Sequence, residues 1–334
     1  AQAGISKIIN GPIPYSPDDN PMIGPSPGLK NVYEACVFTF GIAQGGGAGK
    51  VLAEWVVEKS TEWDMWSCDP RRFTSFVDES YCLEKALEVY GHEYAIHFPF
   101  HEWPAGRDKK LSPIHEKILE VGGQMGAYNG WERANWFAKH HDDISSETPQ
   151  TWNRNGPWFQ RVKEECIEVN KSVGVLDLPG FSRFTLAGKD SSEWLLGKIS
   201  GSLPKIGRIN LAYFPDNRGR CLTEMSVMRL AETNFILITA AAAQWHDFEI
   251  LKNGIPKNSK IKLRDETDEY STLVIAGPKS RQLLEAISDA DLELPWLSIQ
   301  SANVENRKVL LVRVSYAGEL GWEIHAKVKD VAFI

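Results

Sequence analysis

The segment from Gly207 to Leu251 places the strongest constraint on how this chain folds. It contains a run of β-branched and aromatic stretches, separated by turn residues at 216–219 and 232–234, and it ends in a helical pattern. Clusters of Asp, Asn and Gly between such stretches indicate turns between strands. The segment therefore predicts several consecutive strands followed by a helix.

Two later segments extend this prediction. Residues 270–287 have the pattern of a strand, a turn and a helix, and residues 308–325 have that of a hairpin that turns at 317–319. Strands and helices thus interleave without strict alternation, which is typical of an α+β domain. We expect this α+β domain to occupy residues 148–334.

The first part of the chain contains much less of a core. Residues 1–59 are predicted to form a strand, a turn, a buried strand over 31–42 and a helix over 48–59. One strand pair and one helix cannot make an independent core. We therefore expect this segment to close a larger domain.

Residues 60–147 differ in character from both neighbours. A long amphipathic pattern covers residues 69–98, and a short helix is predicted over 113–121. An aromatic-rich loop is predicted over 128–137, and the polar stretch 138–156 is predicted to be a linker. These features set the region apart as a separate, smaller part of the chain.

Composition excludes several classes of function. The net charge of −7 and the lack of a basic tract argue against a nucleic-acid partner. The five scattered cysteines predict reduced thiols, not a disulfide framework or a zinc site. No apolar stretch reaches the roughly 18 residues of a membrane span. His97 and His101 have the spacing of a helical zinc pair, but Pro99 between them breaks a helix, so no metal site is predicted.

The glycine-rich stretch from Gly45 to Gly49 resembles a phosphate loop but fails both phosphate motifs. The triphosphate loop needs Gly where the chain has Gln44 and Ser or Thr where it has Val51, and the dinucleotide fingerprint needs Gly where it has Lys50. Two interpretations stay open. Either an electron-rich group approaches the helix N-terminus closely, or the glycines form a tight strand-to-helix crossing.

Two carboxylates lie in unusual positions. Glu224 is part of an alternating stretch in which Leu222, Ser226 and Met228 share its face. An acid among apolar side chains is either an exposed strand carboxylate or a buried one with a function. Glu319, beside a glycine turn, raises the same question. The residues alone favour the surface interpretation for both and leave the functional one open.

Six motifs follow one another along the chain: SPDDNPMIGPSPGLKNVY with the following CVFTFGIAQGGGAGKVLAEWV, then DPRRF, LSPIHEKILEVGGQMGAYNGWERANWF, VGVLDLPGFSRFTLAG, GRCLTEMSVMRL and RVSYAGELGWEIH. In this order they resemble the dimethylglycine and sarcosine dehydrogenase family. That family joins an amine-oxidising flavin domain, through a small central domain, to a folate-binding domain of the glycine cleavage T-protein type. The resemblance covers essentially the whole chain, and six motifs in order are far more specific than any one of them.

The resemblance implies a multi-domain α+β chain. Residues 1–59 would be the C-terminal part of the FAD-dependent oxidoreductase domain, residues 60–147 the central linking domain, and residues 148–334 an incomplete T-protein-like domain. We expect the chain to be a fragment of a longer protein, since it lacks an initiator Met and stops just as an apolar segment begins. The dinucleotide fingerprint and the amine pocket would precede this chain, so the fragment alone is not expected to oxidise an amine.

The resemblance also implies contacts with two cofactors, FAD and tetrahydrofolate. The glycine stretch would bring the helix N-terminus near the isoalloxazine ring, where amide N–H groups favour negative charge on the reduced flavin. The implied FAD contacts are Ile23, Gly24, Gly41, Ile42, Ala43, Gln44, Gly45 and Gly46.

For the folate, Glu224 matches the position of an essential Asp of T-proteins. Its carboxylate would hydrogen-bond the pterin and is the candidate catalytic residue, with a general-base role possible. Glu319 matches the family Glu that hydrogen-bonds the pterin ring, and Tyr316 beside it is the remaining implied folate contact. The chain departs from T-proteins at Ala240, where they have Asn, which favours the dehydrogenase branch over a true aminomethyltransferase.

The implied function is a demethylating amine oxidoreductase that captures the one-carbon unit as methylene-tetrahydrofolate. Its substrate would be a small methylated amine, and its electron acceptor either an electron-transfer flavoprotein or oxygen. Two alternatives stay open: a non-catalytic relative resembling the pyruvate dehydrogenase phosphatase regulatory subunit, and a stand-alone aminomethyltransferase-like folate-binding protein. We expect a cytoplasmic location if the protein is bacterial and the mitochondrial matrix if it is eukaryotic.

Overall fold

The computed structural model describes residues 4–142, 144, 152 and 155–334. Contacts divide the chain into two compact units, residues 1–96 and residues 97–334. The predicted linker at 138–156 lies partly outside the described residues. The predicted domain boundaries after residues 59 and 147 stay predictions.

The first unit is a small ribbon-and-helix structure. Its elements are the strands β1 (Met22–Pro25) and β2 (Tyr33–Cys36) and the helices α1 (Gly41–Glu58) and α2 (Glu79–His92). The strands pair antiparallel, with Ile23 opposite Ala35, and α1 packs against them. Within the described part of this unit, the buried apolar core consists of Ile23, Ala48 and Val51.

Two predictions for the first unit were wrong. The strand predicted over 31–42 is only four residues long, and its side chains are half-buried or exposed rather than buried. The helix begins at Gly41 rather than near residue 48, since Gln44 N already donates to Phe40 O at 3.0 Å. The glycines therefore lie inside the first turns of α1 and do not form a turn that precedes it.

Buried ion pairs explain the DPRRF motif of the first unit. Asp69 accepts two hydrogen bonds from the Arg71 side chain, at 2.9 and 2.6 Å. Arg72 binds both carboxylate oxygens of Asp18, at 2.8 and 2.9 Å. The motif thus connects the turn around Asp18 to the segment before α2. Its charged side chains form structural ion pairs.

The second unit contains two five-stranded sheets, a separate ribbon and six helices among its described residues. The sheet orders are β10-β6-β9-β8-β7 for the first sheet and β12-β13-β14-β11-β5 for the second, and β3-β4 is the ribbon. The strands are β3 (Gly123–Tyr128), β4 (Trp131–Phe137), β5 (Gly174–Asp177), β6 (Ser182–Ala187), β7 (Arg208–Pro215), β8 (Cys221–Ala231), β9 (Asn234–Thr239), β10 (Lys262–Asp265), β11 (Tyr270–Ala276), β12 (Ile299–Val304), β13 (Arg307–Val312) and β14 (Gly321–Lys327). The helices are α3 (His115–Glu120), α4 (Phe159–Lys171), α5 (Ser191–Leu196), α6 (Gln244–Gly254), α7 (Ser280–Ile287) and α8 (Val328–Val331).

Three apolar clusters hold this unit together. One lies against the first sheet and includes Phe184, Leu237 and Leu251 of α6. Another lies against the second sheet around the fully buried Trp322. The third, called here the intersheet cluster, joins both sheets and consists of Ile209, Met228, Ile236, Ile238, Ile299 and Val312.

The α+β prediction is confirmed, and so is most of its detail. Strands β7, β8 and β9 are consecutive, and they are separated by the two predicted turns and followed by α6. The strand, turn and helix predicted over 270–287 are β11 and α7. Strands β13 and β14 form the predicted hairpin, although eight residues, 313–320, connect them.

The aromatic loop predicted over 128–137 is wrong. Residues 123–137 form the β3-β4 hairpin, in which Tyr128 pairs with Trp131. Asn129 and Gly130 between them have φ values of 49° and 82°. An Asn-Gly pair with both φ values positive makes the tight turn that fits the twist of a hairpin. The sequence signal was the Asn-Gly pair itself, and the aromatic residues around it are strand residues.

Candidate functional site

The start of helix α1 presents an open glycine face. Gly41, Ile42, Ala43, Gly45 and Gly46 are all exposed. Apart from the neighbouring residues and the backbone of α1 itself, no heavy atom of the described residues lies within 4 Å of the position that a Cβ would take on Gly45 or Gly46. The first amides of a helix have no intrahelical partner and lie at the positive end of its dipole. This end of α1 therefore offers backbone donors and room for a flat group.

The remaining FAD candidates have different surroundings. The Gln44 side chain points its Oε1 into a buried position where the described residues supply no hydrogen-bond donor. Ile23 is only 4% exposed and belongs to the apolar core of the first unit. A Cβ on Gly24 would lie 3.2 Å from Pro70 Cδ, so this glycine is needed for close packing. Ile23 and Gly24 thus support α1 and its ribbon, whereas the α1 candidates other than Gln44 are exposed.

Glu224 lies on the first sheet, on a part of one face that is open to solvent. Met225 and Val227 point into the core, so by alternation Glu224 points to the opposite side. Tyr213 is directly opposite Glu224 in the register of β7 and β8. Among the described residues, the Glu224 carboxylate makes no hydrogen bond or ion pair, and it is exposed.

The side chains around Glu224 are large, apolar and partly open to solvent. Leu211, Tyr213 and Leu222 keep 54%, 47% and 43% of their surface exposed. Together with Glu224 they form what we call the Glu224 face. An exposed apolar surface with a single acceptor at its centre suits a flat heterocycle that has N–H donors at its edge.

The Glu224 face continues into the intersheet cluster. Met228 is four residues along β8 from Glu224 and belongs to that cluster. The β8-β9 ladder ends at the pair Ser226 and Ile238, and Ala240 lies two residues beyond Ile238. The correspondence of Ala240 to the Asn of T-proteins stays a prediction. Here Ala240 is exposed and offers no polar side chain.

Tyr316 and Glu319 lie in the loop between β13 and β14. Val314, at the start of this loop, packs against the intersheet cluster. Tyr316 is fully exposed, Glu319 is half-buried, and Gly318 N donates to Ser315 Oγ at 3.0 Å. The strand that carries Glu224 thus contributes Met228 to the intersheet cluster, and the loop that carries Tyr316 and Glu319 packs Val314 against it. No hydrogen bond or ion pair joins Glu224 to Glu319 in the part of the chain that the structure describes.

Sequence reasoning missed a buried carboxylate beneath this site. Asp247 is fully buried on α6, on the same stripe as Gln244 and Leu251. Its carboxylate accepts hydrogen bonds from Thr223 and Thr239, which flank the candidate site. The signal was an acidic residue four positions before a core leucine in a helix, where a solvated side chain does not belong.

A second buried carboxylate has a purely structural setting. Burial alone would raise the pKa of Glu132, but hydrogen bonds from the Arg107 guanidinium and from Asp108 N outweigh burial and lower the pKa. Arg107 Nε donates to Glu132 Oε1 at 2.8 Å, and the backbone N–H of Asp108 donates to the same oxygen at 3.0 Å. These bonds attach the hairpin β3-β4 to residues 107–108.

Further findings concern metals and membranes. Within the described residues, no group of three or more His, Cys, Asp or Glu side chains could hold a metal ion. The rings of His97 and His101 stack with centroids 4.6 Å apart, and no helix joins them. None of the helices in the described residues is long and apolar enough to span a membrane.

Comparison with protein families matches two parts of the chain. Residues 60–112 match the family described as FAD dependent oxidoreductase central domain. Residues 114–334 match the family described as GCVT N-terminal domain. The second match includes the whole of both five-stranded sheets.

Individual relatives match nearly the whole chain. The mitochondrial dimethylglycine dehydrogenase of Rattus norvegicus is 34% identical over 99% of this chain and 39% of the relative. The mitochondrial sarcosine dehydrogenase of Homo sapiens is 27% identical over 97% of this chain and 40% of the relative. The chain thus spans about two fifths of the length of these relatives.

Among solved structures, the fold of about two thirds of the chain has a match. The glycine cleavage system aminomethyltransferase T from Bartonella henselae superposes with a TM-score of 0.55 and is 20% identical. The match covers 67% of this chain and 55% of that protein. At this identity the match shows a common fold.

Proposed function

This chain belongs to the GCVT N-terminal domain family, here together with the FAD dependent oxidoreductase central domain, and we propose that it is the folate-binding part of a demethylating amine oxidoreductase. The proposed substrate is a small methylated amine of the dimethylglycine or sarcosine type, as the names of the relatives suggest. The single observation that carries the proposal is the Glu224 face: an exposed carboxylate without a protein partner in the described residues, surrounded by exposed apolar side chains.

The residues of this face fit a reduced folate. A pterin is flat, has two apolar faces and carries N–H donors along one edge, and the Glu224 face offers an apolar surface with one acceptor. When bound, tetrahydrofolate supplies the nucleophilic nitrogen that takes up the one-carbon unit. Glu224 would accept a pterin hydrogen bond, and its carboxylate would be the group that takes up a proton released nearby. Glu319 would be a second acceptor, and Tyr316 would cover the ring.

We propose that the start of α1 contacts the FAD of the same protein. The open face at Gly45 and Gly46 and the orphaned Oε1 of Gln44 support this, since both suit a flat polar ring. When bound, the flavin supplies the group that accepts two electrons from the amine. The α1 amides would place partial positive charge beside that group. The electrons would pass on to an electron-transfer flavoprotein or to oxygen.

Domain roles and location follow from the same membership. Residues 1–59 would complete the flavin domain, residues 60–147 would link the two domains, and residues 148–334 would bind folate. The protein would be in the mitochondrial matrix of a eukaryote, as the relatives' names suggest, or in the cytoplasm of a bacterium. Ala240, which is exposed and has no polar side chain, supports an acceptor role for the folate domain over full aminomethyltransferase chemistry.

Folate binding by the full-length protein tests this proposal. The probe is folinic acid, a stable reduced folate, and its affinity is measured by titration calorimetry for the wild type, Glu224→Gln and Glu319→Gln. A charge-assisted hydrogen bond contributes about 1.5–3 kcal/mol, so we expect each change to weaken binding about ten- to hundredfold. The matched control is Glu285→Gln, which alters an exposed carboxylate of α7.

The outcomes separate the candidate functions. In an oxidoreductase, both changes leave amine oxidation intact while free formaldehyde rises, because the one-carbon unit is no longer captured. A regulatory relative has no turnover to uncouple. Unchanged folinic acid affinity in both variants would show that these carboxylates are ordinary surface residues.

A further inference from the structure

The buried carboxylate of Asp247 joins two strands directly beneath the Glu224 face. Its Oδ2 accepts hydrogen bonds from Thr223 Oγ1 at 2.9 Å and from Thr239 Oγ1 at 2.6 Å. Its Oδ1 lies 2.8 Å from His246 Nδ1. The Asp247 side chain is 0% exposed, so these polar contacts replace water around the carboxylate. We call this group the Asp247 bridge.

The bridge is placed where the two strands lose their backbone pairing. Thr223 directly precedes Glu224 on β8, and Thr239 is the last residue of β9. The described β8-β9 ladder ends at the pair Ser226 and Ile238, so Thr223 and Thr239 lie beyond it. On the other side of β8, the pairing with β7 becomes irregular between Phe214 and Pro215, close to Glu224. The end of β8 that carries Glu224 is therefore paired with β7 but no longer with β9, so its backbone is held from one side.

Thr223 of the bridge and Glu224 are consecutive residues of β8, so their side chains point to opposite sides of the strand. Thr223 points toward α6 and the core, and Glu224 points toward the open face. Fixing the Thr223 side chain thus fixes the backbone that sets the direction of the Glu224 carboxylate. Hydrogen bonds to a carboxylate are shorter and about twice as strong as neutral ones, and the buried setting strengthens them further.

We propose that Asp247 is a positioning residue that holds Glu224 in the geometry needed for the reduced folate. The inference rests on the proposed function, because it assigns a role to Glu224 in folate binding. It goes beyond that function in naming a buried residue that touches no ligand. Within the bridge, Thr223 transmits the constraint to β8, and Thr239 holds β9 and the neighbouring Ala240.

Isosteric threonine variants test the bridge with little risk to folding. Thr223→Val and Thr239→Val each remove one hydroxyl from the full-length protein, and Asp247→Asn keeps the size of the side chain but removes its charge. The matched control is Thr185→Val, since Thr185 Oγ1 on β6 also donates to a carboxylate, that of Glu266, at 3.1 Å. Folinic acid affinity is measured by calorimetry, and thermal unfolding is measured in parallel.

If the bridge only stabilised the fold, its variants would lower the unfolding temperature, and their effect on folinic acid affinity would not depend on Glu224. We therefore combine each variant with Glu224→Gln in a double-mutant cycle. We expect Thr223→Val and Asp247→Asn to weaken folinic acid binding about tenfold in the wild-type background and less than about twofold in the Glu224→Gln background. Thr185→Val should lower the unfolding temperature and leave the affinity unchanged.

Two results would overturn the inference, and they are distinguishable. If Glu224→Gln leaves folinic acid affinity unchanged, the proposed folate role of Glu224 fails, and the positioning role fails with it. If Glu224→Gln weakens binding but the bridge variants do not, or weaken it equally in both backgrounds, the folate site stands and the positioning role is wrong. Should Asp247→Asn fail to fold, the two Thr→Val variants decide.

Discussion

The two candidate sites of this chain differ in the groups that they offer to a ligand: backbone amides in one and side chains in the other. At the start of α1 the chain offers backbone amides and the empty space beside glycines, supported by a core of three buried residues. At the Glu224 face it offers side chains on a sheet that is supported by two larger buried clusters. A backbone site needs close approach from a partner group, whereas a side-chain site needs precise positioning. The first should therefore be sensitive to added bulk, and the second to changes in supporting hydrogen bonds.

The difference in core size gives the largest expected effect. Leu237 is 0% exposed in the cluster beneath the first sheet, so Leu237→Ala should lower the free energy of unfolding of the second unit by about 2–5 kcal/mol. Val51→Ala in the first unit removes fewer atoms from a smaller core and should cost about 1–2 kcal/mol. Denaturant unfolding with hydrogen exchange measures both. A loss at Val51 as large as that at Leu237 would contradict the comparison.

Buried and exposed carboxylates of the second unit should also respond differently. Glu132 is 2% exposed and paired with Arg107, whereas Glu224 is exposed. Glu132→Gln should therefore lower the free energy of unfolding at neutral pH by about 2 kcal/mol, because Arg107 loses its charged partner. Glu224→Gln should change stability by less than about 0.5 kcal/mol.

The pH dependence sharpens this contrast. The pKa of Glu132 is lowered in the folded protein, because hydrogen bonds from Arg107 and Asp108 N outweigh the effect of burial. Its stabilisation is present above its unfolded pKa and disappears as pH falls through the lower, folded pKa. The wild type should thus lose stability on acidification below about pH 5, and Glu132→Gln should lose less. If denaturant titrations show that both proteins lose the same stability on acidification, Glu132 does not contribute to the acid sensitivity of the fold.

Sequence patterns predicted the second unit better than the first, and the reason is physical. Consecutive strands joined by Asp, Asn and Gly turns are local features, so β7, β8, β9 and α6 follow from the chain itself. The start of α1 does not, since glycine has low helix propensity and only the packing of Ala48 and Val51 extends the helix back to Gly41. Asn129-Gly130 was a local hairpin signal that the surrounding aromatic residues obscured.

The candidate site was predictable in part for a similar reason. Alternation along β8 gave the direction of Glu224, and the resemblance of motifs gave its possible role. No local pattern could show that Asp247 would meet Thr223 and Thr239, because these residues come together only when α6 packs on the sheet. Supporting residues of this kind depend on tertiary contacts, so they are found from the structure.

The smallest expected effect on folding concerns the glycine face. Gly46 is exposed, and the described residues leave open space where a Cβ would be, so Gly46→Val should change the free energy of unfolding by less than about 1 kcal/mol. The same change should lower the flavin content of the purified full-length protein, because a β-branched side chain blocks close approach of a flat ring. Gly49→Val is the matched control, since Gly49 is an exposed glycine one turn further along α1 with similar open space. Visible absorbance per protein measures flavin content. Normal flavin content and normal reduction by the amine in Gly46→Val would show that the glycines serve only the helix, and the backbone half of the comparison would then be wrong.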